Sequence, residues 1–218
     1  MSTLHPRRPG IGVRGLYALT PDTEDTDALL MQVKDALSGG VGVLQYRNKS
    51  PDAALRLEQA EALLQICRRH GIPLIINDDL ELARRLDADG LHLGREDGEL
   101  SKARSALGPE KLLGASCYGD LALAISACQQ GADHIAFGSF FASTTKPGTV
   151  RVRPTLLTKA RERLNVPIVA IGGITVENAG ALIAAGATSV AVVSGLFDAT
   201  DIAARARAFG RLFESRPT

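Results

Sequence analysis

The stretch VGVLQYRNKSPDAALRLEQAEALLQICRRHGIPLIIN (residues 41–77) holds two short apolar, β-rich runs with a helical segment between them. VGVLQYR (41–47) and LIIN (74–77) are apolar almost throughout, the pattern of strands covered on both faces. Between them Leu57, Ala60, Leu64 and Cys67 fall three or four residues apart and so share one helical face. Ser50 is expected to cap this helix, with Pro51 at its first position. Arg68, Arg69 and His70 complement its negative end, and Gly71 stops it. A helix of this length between two buried strands is a crossover, and strands joined by a crossover run parallel.

Outward from this unit the same alternation continues. LYALT (16–20), GLHL (90–93), LLGAS (112–116), HIAFG (134–138), PIVAIGG (167–173) and SVAVVS (189–194) bring the strands to eight. Helices are expected at about 25–38, 79–87, 98–107, 119–130, 155–163, 176–185 and 200–214. Eight βα units in 218 residues predict an α/β chain folded as one closed (β/α)8 TIM barrel over residues 14–218. Residues 1–13, rich in Pro, Arg and Gly, read as a mobile tail. The competing fold is an open doubly wound sheet, which favours a Gly-rich turn after its first strand; LYALTPDTED has none.

Composition narrows the function classes. Twenty-five basic and 24 acidic residues leave a net charge of +1, so no global field draws in nucleic acid or an anionic membrane surface. No apolar run approaches the ~20 residues that span a bilayer, and MSTLHPRRPG lacks a secretion-signal core, so a cytoplasmic chain is expected. Cys67, Cys117 and Cys128 are odd in number and lack a C-x-x-C pair, which argues against a disulfide framework or a zinc site. The sequence is compatible with a homo-oligomer and does not require one.

In a TIM barrel the chemistry collects where strands end and βα loops begin. Gln45, Arg47 and Lys49 alternate along the end of the second strand and, if the extended geometry persists, all point into the mouth. A solvated strand end explains them equally well taken alone. GGI (172–174) and VVSG (192–195) follow the seventh and eighth strands, where this fold cradles phosphate, so Gly173, Val193 and Ser194 are candidates to hold a phosphate monoester by backbone amides. NDD (77–79) and REDG (95–98) lie on adjacent loops, and Asp78 with Asp97 suits Mg²⁺, which takes few protein oxygens plus water and substrate phosphate. Asp79 and Glu96 serve equally as helix caps or solvated groups, and an Asp paired with Lys49 or Arg47 is the metal-free alternative. FFASTTKPG (140–148) adds Ser143, Thr144, Thr145 and Lys146, a hydroxyl run with one cation and the position of a lid. Arg47, Lys49, Lys146 and a dication against two aspartates leave a rim of roughly +3, matched to a diphosphate ester.

QYRNK, IINDD, DADGLHLGREDG, GASCY, GADHIAFGSFFASTTKPG, VPIVAIGGIT and GATSVAVVSG, in this order over about residues 15–197, resemble the thiamine-phosphate synthase family. The resemblance implies a Mg²⁺-dependent transferase that joins two small-molecule substrates, a hydroxymethylpyrimidine diphosphate and a hydroxyethylthiazole phosphate, with release of pyrophosphate. It implies that Gln45, Tyr46, Arg47, Asn48, Lys49 and Asn77 hold the pyrimidine diphosphate, with Ser116 and Lys146 completing that pocket. Arg47, Lys49, Lys146 and Ser116 would act in catalysis, and Asp78 and Asp97 would bind Mg²⁺. Ser143, Thr144, Thr145, Gly173, Val193 and Ser194 would hold the thiazole phosphate. One departure is Ala142-Ser143, where many relatives carry Pro-Thr. The scheme needs no dedicated general base, and His92 is read as a hydrogen-bonded packing residue. A thiazole tautomerase of the same fold, a metal-free sugar-phosphate isomerase and a noncatalytic thiamine-phosphate sensor are the rival functions. The first two leave the basic and acidic clusters without a role.

Overall fold

The alternation seen over residues 41–77 repeats around a closed ring. A computed structural model describes residues 12–142 and 151–214. Eight parallel strands pair in sequential order: β1 (Gly15–Leu19), β2 (Val41–Tyr46), β3 (Leu74–Asn77), β4 (Gly90–Leu93), β5 (Leu112–Tyr118), β6 (His134–Phe137), β7 (Ile168–Ile171) and β8 (Ser189–Val192). Pairing of β8 with β1 closes the barrel. The helices are α1 (Thr26–Ser38), α2 (Ala53–His70), α3 (Leu80–Arg85), α4 (Leu100–Leu107), α5 (Leu121–Gln129), α6 (Thr155–Arg163), α7 (Val176–Ala184), α8 (Ser194–Phe197) and α9 (Ile202–Glu214). No described helix is long and apolar enough to cross a membrane.

The strands read as continuous apolar runs because each feeds two cores. Leu16, Leu44, Ile76, Leu91 and Val190 pack outward with helix residues such as Leu29, Leu63, Leu157 and Phe209. Their neighbours Tyr17, Val43, Ile75, Ala136, Val169 and Ala191 fill the barrel interior. Val13 joins the interior cluster at 1% exposure, so the barrel reaches at least one residue into the segment read as a tail. Residues 1–11 lie outside the described residues.

Two local expectations change. The cap of α2 is Asp52, whose Oδ1 accepts from Ala54 N at 2.8 Å and Leu55 N at 3.1 Å. Ser50 Oγ instead accepts from Asp52 N at 3.2 Å, one step earlier in the same turn. A carboxylate reaches two of the exposed amides of the first turn and outcompetes the hydroxyl. The other difference is α8, four residues inserted between β8 and α9. Gly71 ends α2 in the left-handed region at φ 67° as expected.

Candidate active site

The strand period sorts the residues after Val43. Gln45 points into the barrel, is 2% exposed, and donates from Nε2 to Tyr17 Oη at 2.8 Å. Burial holds that phenol protonated, with its pKa raised above the usual value. Tyr46 lies on the opposite face and donates from Oη to Gln59 Oε1 of α2 at 3.0 Å. Asn48 donates to the same Gln59 oxygen at 2.9 Å and to Thr23 O at 3.0 Å. The polar groups of Tyr46 and Asn48 tie the β2–α2 loop to the helix layer, and both residues line the rim recess beside Lys49. Strand pairing stops at Tyr46, short of the extended run through Lys49 that the alternation suggested. Thr20 takes over: its Oγ1 accepts from Arg47 N and donates to Arg47 O, both at 2.9 Å.

Arg47 stands at a junction. It lines the inner cavity of the mouth together with Gln45, Asn77, Ser116 and Ser194. It also lines a second recess at the rim, with Lys49, Arg56, Asn77 and Asp78. Its Nη1 lies 2.6 Å from Asp22 Oδ2, and Asp22 Oδ1 accepts from Lys49 N at 2.9 Å. One carboxylate on the β1–α1 loop thus sets both the guanidinium and the turn that carries Lys49. Arg56, on the first turn of α2, donates from Nη1 to Ser50 O at 2.5 Å and has Nη2 3.9 Å from Asp79 Oδ2. Asp79 also caps α3 through Leu82 N at 2.9 Å, and Glu96 is exposed.

Asp78 adopts φ 63°, a conformation that Asp and Asn tolerate better than most residues. There it accepts from Asn77 Nδ2 at 2.5 Å and comes within hydrogen-bonding reach of Asp97. Asp97 is anchored by Gly94 N, which donates to its Oδ2 at 2.9 Å; a Cβ on residue 94 would overlap that oxygen. Lost hydration first, and repulsion from Asp97 second, push the Asp78 carboxyl up to about 6, against a smaller opposing pull from Asn77 and Arg47. Two carboxylates pressed together in this way fit a hard dication. Asp78 and Asp97 are the residues that could hold one, with water and phosphate completing its shell; among the described residues no group of three or more His, Cys, Asp or Glu gathers as a metal site.

Across the mouth, Gly172 and Gly173 have φ 105° and 61°, the first a value that glycine adopts far more readily than any other residue. They also have no room for a side chain. A Cβ on Gly172 would overlap Ser139 Oγ, and one on Gly173 would overlap Ala142 O. The turn after β7 is held by Asn178 Nδ2, which donates to Gly173 O at 3.0 Å. Val193 and Ser194 open α8 on the same side of the cavity. Ser116 faces the cavity from β5, with Oγ 2.9 Å from His92 Nε2. Ser143, Thr144, Thr145 and Lys146 lie outside the described residues; Ala142, just before them, packs against the Gly173 turn.

The sequence model of thiamine monophosphate synthase matches residues 16–196. The chain belongs to this family. The thiamine-phosphate synthase of Aromatoleum aromaticum is 53% identical over 207 residues, which cover 95% of this chain and all of that one. That of Methylobacillus flagellatus is 55% identical over 201 residues, 92% of this chain and 96% of its own. Among solved structures, a thiamine phosphate pyrophosphorylase from Pyrococcus furiosus superposes with a TM-score of 0.82 at 29% identity, covering 92% of this chain and 95% of that one. As a member of the thiamine monophosphate synthase family the chain is a transferase.

Two residues of this family member escaped the sequence reading. Asp22 lies in TPDTED of the β1–α1 loop and Arg56 on the first turn of α2, and neither is given a role by the sequence alone. For Arg56 the signal was available: the first turn of the second crossover helix faces the rim in this fold. Cys117 is settled by its surroundings. It is fully buried in the outer core, and burial pushes its thiol up to about 12, so it stays protonated and inert at neutral pH.

Proposed function

We propose that the chain is a Mg²⁺-dependent thiamine-phosphate synthase, joining 4-amino-2-methyl-5-(diphosphooxymethyl)pyrimidine to 4-methyl-5-(2-phosphooxyethyl)thiazole with release of pyrophosphate. The observation that carries this reading is the pair of compartments meeting at Arg47 and Asn77. The inner cavity suits two flat heterocycles: Tyr17, Leu19, Ala136, Val169 and Ile171 supply apolar wall, and Gln45 and Ser116 supply hydrogen-bonding groups. The rim recess suits the diphosphate. The Gly173, Val193 and Ser194 turn suits the thiazole phosphate, in the position where TIM barrels commonly bind one.

Charge supports the metal. Among the described rim residues Arg47, Lys49 and Arg56 face Asp22, Asp78, Asp79 and Asp97, a balance that by itself repels a diphosphate. Asp78 and Asp97 would hold Mg²⁺, which would supply the positive charge that makes the rim receptive to pyrophosphate. The remaining work belongs to the chain. Arg47, Lys49 and Lys146 stabilise charge growing on the departing oxygens, which lowers the barrier to breaking the methylene C–O bond. The electron-rich aminopyrimidine carries the resulting cation. Gln45 and Asn77 orient that ring, while the phosphate cradle fixes the thiazole nitrogen for attack. Ser143, Thr144 and Thr145, outside the described residues, would hold the thiazole phosphate as the family resemblance implies. No proton acceptor is needed, and thiamine phosphate and pyrophosphate balance the reaction.

The test is incubation with both phosphorylated halves, with Mg²⁺ and with chelator, and detection of the joined product by mass. Product with Mg²⁺ and loss of product with chelator are expected. Equal yield under both conditions would remove the metal, and no product under either would remove the activity.

A further inference from the structure

A buried pair of imidazoles lies beneath the mouth. His92 on β4 pairs in register with Gly114 on β5, and Gly114 pairs with His134 on β6. The missing side chain in the middle of this row is what lets the rings meet, since a Cβ at Gly114 would overlap both His134 Nε2 and His92 Nδ1. With that space open, His92 Nδ1 lies 3.4 Å from His134 Nε2 and the ring centroids are 5.5 Å apart. His134 is fully buried and His92 is 7% exposed. Both rings line the inner cavity.

Packing alone would be served by an aliphatic side chain at residue 92. The imidazole instead has its far nitrogen, Nε2, 2.9 Å from Ser116 Oγ. We propose that His92, held from behind by His134, is a positioning residue that fixes the direction of the Ser116 hydroxyl toward the pyrimidine diphosphate. This rests on the reaction assigned above.

The physical reason is the inventory of a serine hydroxyl, one donor and two acceptor sites. A neutral imidazole presents one N–H and one bare nitrogen, so a bond made at Nδ1 dictates what Nε2 can offer. If His92 gives its Nδ1 proton to His134, Nε2 accepts the Ser116 proton and the serine oxygen faces the cavity as an acceptor. If His134 is the donor, His92 Nε2–H donates to Ser116 and the hydroxyl proton turns toward the cavity. The first arrangement fixes the hydroxyl proton and the second turns it away from the imidazole, so in both the rotation of the hydroxyl is narrowed before substrate arrives.

The test is a double-mutant cycle on the whole chain with Ser116→Ala and His92→Asn, and His92→Gln as the conservative variant. Asn reaches the His134 side but is too short for Ser116, whereas Gln extends an amide to about the Nε2 position. Turnover, KM and the calorimetric Kd for the pyrimidine diphosphate are read for each. Ser116→Ala and His92→Asn are each expected to weaken pyrimidine-half binding or turnover by about tenfold, the worth of one hydrogen bond. The double variant should be no worse than Ser116→Ala alone, and His92→Gln should recover most of the loss. Losses that multiply in the double variant, or an unaffected His92→Asn, would overturn the inference and leave only packing. If the wild-type chain binds the pyrimidine diphosphate without forming product, the reaction reading falls while the same cycle in Kd still decides the role of His92.

Discussion

Asp78→Asn removes the carboxylate that the rim accommodates least well. The wild-type carboxyl titrates near 6 in the folded chain against an ordinary value of 3.8. A raised folded pKa means that the folded state binds the proton more tightly than the unfolded state does. Stability is therefore lost as pH rises from about 4 to about 6, and the full penalty stands above that window. Two units correspond to just under 3 kcal/mol at ~1.36 kcal/mol each. One side of Asp78 is open to water, and screening reduces this to about 1 kcal/mol. For a barrel of this size that is roughly 2–4 °C in Tm. Asn accepts the left-handed backbone at this position and can still take the bond from Asn77, so the substitution carries little strain of its own. In chelator at about pH 8 the variant should melt higher than wild type by that amount, and the gap should shrink as the pH is lowered toward about 5. Added Mg²⁺ should raise the wild-type Tm more than that of the variant. An equal or lower Tm for the variant in chelator at the higher pH would mean that neither lost hydration nor Asp97 penalises the Asp78 carboxylate.

Arg56→Ala should raise KM for the pyrimidine diphosphate several-fold and leave KM for the thiazole phosphate alone, by loss of one cation from the rim; matched changes in both constants would count against that placement. Gly173→Val puts a branched side chain at φ 61° and into Ala142 O, so steady-state kinetics should show a higher KM for the thiazole phosphate. An ordinary concentration dependence would separate this turn from the phosphate. Gly114→Ala should overpack the two imidazoles and cost ~1–3 kcal/mol, read as a Tm drop of several degrees; an unchanged Tm would show that the interior yields more easily than the geometry implies.

The eight strands were legible because parallel strands covered on both faces leave unbroken apolar runs, and Leu44 facing the helices beside Val43 facing the interior is that rule at one position. Alternation also placed Gln45 and Arg47 on the cavity side, while Tyr46 and Asn48 beside them border the rim recess together with Lys49. What sequence could not supply was the partner of each charge. Asp22 reaches Arg47 across 25 residues of chain, a contact that depends on where the β1–α1 loop lands. The Asp52 cap was missed because Ser50 and Asp52 are both good caps and only the turn geometry chooses between them. Helix α8 is a single turn, too short for periodicity to register. Gly114 looked like one more residue in an apolar strand, and its purpose appears only when the flanking strands bring their imidazoles over it.

Arg47 and Asn77 belong to the wall common to both compartments, and this restricts how the enzyme can be altered. A change at either residue reshapes the inner cavity and the rim recess together. An engineer seeking to admit a bulkier pyrimidine would do better to start at Leu19 or Val169, which border the inner space alone, and drift across generations should follow the same easier route.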